Sequence, residues 1–281
     1  MARYDALHDG VPTWMAPAFW QWIRDTLIQP SDRTAYGQAL YRVKSSLVSE
    51  MGQELQIPLP LVRAEGLYRR DAEARLEPVI SILMRQPNSL SIADYLLYGG
   101  APGAPLDEVL RRAKSAYKVG ERTGYPGLER RVAEGVQDAA DHVMQQSDGA
   151  GRRLAEAWGA LYGLNADPSR AYSLAIKAVE DAVLPLVEPK NTRATLGTSI
   201  KVIEAQKDWQ LPMTRDPQQA PSGEVLLNMM KLLWHAQHDR HGGQAAASPP
   251  ITREEAESSI GLAVTLVHWF YSGLAHRSST P

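Results

Sequence analysis

Glu224-Val-Leu-Leu-Asn-Met-Met-Lys-Leu-Leu-Trp-His-Ala-Gln-His-Asp-Arg-His-Gly-Gly243 places apolar residues at helical spacing, then three of the seven histidines, an aspartate and an arginine before a double glycine. At about 100° per residue, Leu226, Met229, Met230 and Leu233 share one stripe, while His235, His238 and Asp239 project mostly from the opposite side. Arg240 follows Leu233, and His241 follows Trp234, by two turns, so both return to the stripe side as the helix closes. Gly242-Gly243 supplies the left-handed residue that helix ends favour, and a cation in the last turn suits the negative end of the helix dipole. The stretch reads as an amphipathic helix whose close gathers groups able to move protons and hold anions. A plain basic helix cap is the alternative reading of the same residues.

Working outward, Thr252-Arg-Glu-Glu255 has the form of a capping box, followed by Ala256, Ile260, Ala263, Val264, Val267 and Tyr271 on one side. Leu262, Leu266 and Trp269 add a second apolar side, which predicts a helix at the centre of a bundle or at a dimer seam. Upstream, Asp167-Pro168 pairs an N-cap with a first-turn proline. The helix it opens carries Ala171, Ala175, Ala178 and Ala182 as a smooth ridge for close helix packing. Further helices are expected over 136–144, around Leu154, Trp158, Leu161 and Tyr162, and over 196–203. Ser147-Asp-Gly-Ala-Gly151 reads as a loop.

The first half is also helical in pattern. Trp14, Phe19, Trp20, Trp22, Ile23 and Leu27 fit a helix after the Gly10-Val-Pro12 turn. A second helix is expected from a Ser31 or Asp32 cap through Leu40, Val43, Leu47 and Met51 to Gly52, with others over 65–84, 91–98 and 106–113. Residues 115–119 and 128–132 flank a turn-rich segment and predict a small hairpin. Arg111, Arg112, Lys114, Lys118, Arg122, Arg130 and Arg131 form a basic cluster there, diluted by Glu108, Glu121 and Glu129. It reads as a solvated face before it reads as a phosphate contact. The fold class expected is all-α: a helical domain over 1–114, a hairpin or linker over 115–132, and a helical bundle over 133–281.

The 281 residues suffice for two modest domains with a substantial core. Thirty Lys and Arg stand against 32 Asp and Glu, a formal charge of −2, so no global field draws the chain to nucleic acid or anionic lipid. The lack of cysteine excludes disulfides, thiolate zinc sites and cysteine nucleophiles. There is no phosphate-cradling Gly-Lys-Ser/Thr loop, dinucleotide fingerprint or nucleophile elbow, and no cofactor is expected. The N-terminus lacks the pattern of a signal peptide, and the apolar run 261–275 is too short and too interrupted to span a bilayer. A cytoplasmic protein with no membrane partner is expected.

Ala171-Tyr-Ser-Leu-Ala-Ile-Lys-Ala-Val-Glu180, Thr195-Leu-Gly197, the His241-Gly242 pair, and Glu254-Glu-Ala256 leading into Ala263-Val-Thr-Leu-Val267 together resemble the C-terminal domain of bacterial abortive-infection proteins, within the all-helical HEPN superfamily. The likeness covers about 132 to the end and rests on pattern and order. Residues before 130 are similar, on weaker grounds, to the helical regions that accompany such domains. The resemblance implies a HEPN-like bundle, a homodimer, and a metal-independent ribonuclease in phage defence that uses an arginine followed, after four to six residues, by a histidine. In that chemistry the histidine handles the proton of the ribose 2′-hydroxyl or leaving oxygen, and the arginine stabilises charge on the phosphate. Here the window before His241 holds Trp234, His235 and Ala236, and that before His238 holds Lys231, Leu232 and Leu233. Lys231 with His238 is the nearest substitute, with a point charge in place of a planar fork, and adjacent Arg240-His241 is the other. Lys177 lacks an acidic residue one turn earlier, where Ser173 stands.

The expected site is therefore His241, Arg240, His238 and Lys231, with RNA or a nucleotide as ligand and a defence-system protein as a further partner. A noncatalytic dimeric sensor or interaction module is the alternative, because lost Arg-to-His spacing is what lost activity would leave. A third reading places a metal on His235, His238, Asp239 and His241, although no separate glutamate stands out as base or ligand.

Overall fold

The computed structural model describes residues 7–122, 124–215, 217–236 and 250–278. It is 58% helix, with eleven helices and three two-stranded sheets among the described residues. The chain divides into two compact units, one ending at Arg131 and the next beginning at Val132.

In the first unit, α1 (Ala16–Leu27) carries a proline in its first turn and buries Phe19, Trp20, Trp22, Ile23 and Leu27. The helix expected to follow from Ser31 or Asp32 is not there. Instead β1 (Ile28–Arg33) pairs antiparallel with β2 (Ala39–Val43), and only then does α2 (Ser45–Glu54) begin. The reason is local. Thr34 and Gln38 close a turn in which Gly37 takes φ +80, a left-handed geometry open to glycine at no steric cost. Val43 then lies opposite Ile28 with both side chains buried, so an apolar spacing that suited a helix belongs partly to a strand. Val48 and Met51 alone form the inner face of α2.

Helices α3 (Arg69–Leu83), α4 (Ser89–Tyr98) and α5 (Gly103–Arg112) follow, and β3 (Tyr117–Arg122) pairs with β4 (Tyr125–Arg130) as the expected hairpin. The hairpin packs within the first unit. Asp94 of α4 accepts the Leu128 amide at 2.6 Å, and Asp107 of α5 accepts that of Val119 at 3.0 Å. Much of the basic cluster is answered internally: Arg111 and Arg112 bind Glu108, Lys118 binds Glu129, Arg130 binds Asp9, and Arg131 lies 3.8 Å from Asp107.

The second unit begins with α6 (Glu134–Gln146) and α7 (Asp148–Tyr162). The loop expected over 147–151 contracts to Ser147. A Cβ on Gly151 would come within 2.2 Å of the Met144 carbonyl, so this glycine marks the close approach of two helices. Next, α8 (Pro168–Val187) starts as expected, with the Asp167 carboxylate accepting the Arg170 amide at 2.9 Å. Its alanine ridge is buried against α7 and against α11 (Arg253–Tyr271), whose capping box forms between Thr252 and Glu255. On α11, Phe270 points inward, and Tyr271, expected on the apolar side, is half exposed.

Helix α9 (Leu196–Gln206) runs from a Thr195 cap to Lys207, which takes the left-handed conformation. Then β5 (Trp209–Gln210) pairs with β6 (His276–Arg277), and α10 (Ser222–His235) turns Leu226, Met230 and Leu233 inward, as the wheel predicts, with Met229 half-buried. Gly197 lies flush under the Trp234 indole: a Cβ there would sit 2.5 Å from the ring.

Two outcomes are expected. Gly197→Ala should destabilise the protein by about 1–3 kcal/mol, because a rigid ring must shift. Gly261→Ala, on an exposed turn of α11 with open space around it, should stabilise by about 0.5–1 kcal/mol through helix propensity. Urea-unfolding midpoints check both, and shifts of the same sign would contradict the packing described. Separately, burial raises the Asp94 carboxyl pKa despite the hydrogen bond from Leu128. The folded state then binds this proton more tightly than the unfolded chain, so the contribution to stability falls as pH rises from the ordinary aspartate range through the raised value. Asp94→Asn keeps an acceptor for Leu128 and should remove this dependence, giving a variant no less stable than wild type at pH 7 and losing any advantage in acid.

Candidate functional site

The site expected from sequence lies where α10 ends. Of its four residues, Lys231 is described, while His238, Arg240 and His241 lie outside the described residues, as does Asp239. What the structure defines is the frame around that exit. The buried Tyr172 hydroxyl, from α8, donates to the Leu233 carbonyl at 3.0 Å and so satisfies a helix-end acceptor. One residue on, Trp234 rests on Gly197. The start of α9 is held in turn by α8, through the Glu180 carboxylate, which accepts the Leu196 amide at 2.7 Å.

Glu188 adds a second tie. It accepts hydroxyl hydrogen bonds from Thr198 and Ser199, both at 2.8 Å. Burial pushes the Glu188 pKa up, but the bonds from Asn191, Thr198 and Ser199 outweigh it and leave the carboxyl below its usual range. These carboxylates sit where the positive end of the α9 dipole is strongest. On the far side of the segment, Thr252 and Glu255 cap α11, and the Arg253 guanidinium lies 5.9 Å from the centre of the Tyr162 ring.

Lys231 projects from α10 into a hollow of ≈ 550 Å³ between α9 and α10. Its ammonium meets Glu204 of α9 at 2.7 Å, and this bond holds the Glu204 carboxyl below its usual range. The hollow is further lined by Lys207, Asp208, Gln210, Glu224, Leu227 and Asn228. His235 is exposed in the last turn of α10. Among the described residues no group of three His, Asp or Glu is placed to hold a metal ion, and His235 stands without His238, Asp239 and His241 described beside it.

A second hollow, ≈ 600 Å³, opens between α7, α8 and α11. Arg152 and Glu156 line it, and four more of its polar groups are paired: Arg153 binds Asp181 at 2.7 Å, and the Tyr271 hydroxyl donates to Asp148 at 3.0 Å. That bond also raises the Tyr271 pKa, since it favours the protonated phenol beside a carboxylate. Asp148 takes φ +42 as α7 begins.

Sequence reasoning passed over Tyr172, Glu204 and Asp208. Tyr172 sits in an apolar helical run and reads as core. Glu204 and Asp208 meet their partners only through tertiary contact, for which spacing along the chain holds no signal. Among the described residues no helix is long and apolar enough to cross a membrane. No protein-family model matches the chain, and no curated protein and no solved structure matches it significantly.

Proposed function

We propose that the second unit is a HEPN-like bundle that binds RNA or a nucleotide at the segment leaving α10 and acts as a metal-independent ribonuclease in a cytoplasmic phage-defence role, as a homodimer. One observation supports this reading above others. Two of the segments that carry the resemblance, 171–180 and 195–197, meet at the last turn of α10, which precedes Arg240 and His241 in the sequence. In this role His241, with His238, moves the proton at the 2′-hydroxyl or the leaving oxygen, and Arg240 faces the phosphate. Lys231 is the weakest of the four, because its charge is already met by Glu204.

That ion pair favours a second reading, a noncatalytic dimeric interaction module partnered by another protein of a defence system. Incubation of purified protein with labelled RNA in EDTA separates the two. The ribonuclease reading expects cleavage that falls by about 10²–10⁴ in a His241→Ala, Arg240→Ala double variant, with Lys231→Ala retaining most activity. Cleavage undiminished by the double variant removes the assignment, and no cleavage by wild type leaves the interaction module. Light scattering showing a monomer counts against both.

A further inference from the structure

The hollow between α7, α8 and α11 holds two opposite charges that do not bind each other. Arg152 and Glu156 both line it, one turn apart on α7, a spacing at which such residues commonly pair. Neither makes a hydrogen bond or ion pair among the described residues. The Arg152 guanidinium turns the other way: its Nη2 lies 3.8 Å from where a Gly149 side chain would begin, at the start of the helix. The positive end of a helix dipole does not favour a cation, so the dipole is not what draws it there.

The other charged groups of the hollow are engaged, Arg153 with Asp181 and Asp148 with the Tyr271 hydroxyl. Arg152 and Arg153 stand against Asp148, Glu156 and Asp181, a surplus of one negative charge. A simple anion is therefore disfavoured, and a fitting ligand carries a cation, alone or with an anion beside it. Helices α8 and α11 add apolar surface that water reaches: Leu186 is 51% exposed, Tyr271 is 50% exposed, and Pro185 is exposed beside them. A hollow of ≈ 600 Å³ with a few polar groups and an apolar wall is within the range of small-ligand sites.

We infer that this hollow binds a zwitterion with an apolar body, the chemistry of a free α-amino acid with a large hydrophobic side chain. The ligand carboxylate takes the Arg152 guanidinium, whose planar fork suits it. The ligand ammonium takes Glu156, and the side chain covers Leu186 and the Tyr271 ring. Neither the Arg153–Asp181 nor the Tyr271–Asp148 pair has to open. The site lies wholly within the second unit and does not depend on the RNA reading of that unit.

The test titrates the full chain by calorimetry, near neutral pH, with three probes that share one apolar body. Phenylalanine carries both charges, phenethylamine the ammonium alone, and 3-phenylpropionate the carboxylate alone. Phenylalanine should bind about tenfold or more tightly than phenethylamine, the worth of a hydrogen bond between charged groups. The surplus negative charge should make 3-phenylpropionate the weakest of the three. Arg152→Gln should bring phenylalanine down to the affinity of phenethylamine and leave phenethylamine no weaker. Glu156→Gln should weaken phenylalanine and phenethylamine and leave 3-phenylpropionate no weaker. Leu186→Ser, at an exposed position, should weaken phenylalanine and phenethylamine alike. None of the three positions is buried, so melting temperatures should stay at the wild-type value. Either single-charge probe binding as tightly as phenylalanine overturns the assignment. So does a preference for phenylalanine over phenethylamine that survives Arg152→Gln, or phenylalanine affinity unchanged by Glu156→Gln or by Leu186→Ser. No binding of phenylalanine by the wild-type protein overturns it as well.

Discussion

Helix α8 can be approached closely on two sides, and the second unit depends on that. Ala171, Ala175, Ala178 and Ala182 are all buried, and a one-carbon side chain permits helix spacings at the short end of roughly 8–10 Å. Bulk comes from the neighbours, with Leu154, Trp158 and Leu161 on α7 and Ile260, Leu266, Val267 and Phe270 on α11, and from the other positions of α8 itself, with Tyr172, Ile176, Val179 and Val183. Large residues at the four alanine positions would separate the layers. Small ones let the flanking helices supply the hydrophobic area while the post between them stays thin.

From that post the polar contacts run in one direction. Glu180 and Glu188 hold the start of α9, which sets Gly197 beneath Trp234, and Tyr172 takes the Leu233 carbonyl. Two contacts thus meet on adjacent residues at the end of α10, the Tyr172 hydroxyl on the Leu233 carbonyl and Gly197 beneath the Trp234 ring. The last turn of α10 is in this way fixed against α8 and α9.

Much of this bundle was legible from periodicity and caps. Asp167-Pro168, Thr252 with Glu255, the alanine ridge and the inner face of α10 each depend on residues three to seven apart, a distance over which helical geometry correlates side chains. Errors arose where one pattern serves two structures. Val43 and Met51 suit a single helix in spacing, but the turn at Gly37 commits Val43 to a strand, and cross-strand burial of Ile28 and Val43 outweighs helical propensity. Gly149 and Gly151 suggest a loop by composition, whereas Gly151 is needed because the Met144 carbonyl occupies the space of its missing side chain. Of the site expected from sequence only Lys231 lies among the described residues, and its neutralisation by Glu204, 27 residues away, is a property of tertiary structure that spacing along the chain does not carry.

That ion pair bears on which cation would serve a phosphate. Lys231 and Glu204 are both partly exposed, and an exposed pair is screened and cheap to exchange, so an incoming phosphate could compete with the carboxylate. Exchange is not the same as readiness. Stabilising charge that develops during a reaction needs donors already aimed at it, and a lysine that must first leave a carboxylate offers the same charge only after rearrangement. It is also a point charge with rotatable donors, where a planar guanidinium holds two in fixed relation. For the phosphate contact proposed for the second unit, the pairing of Lys231 with Glu204 therefore favours Arg240 over Lys231 as the cation.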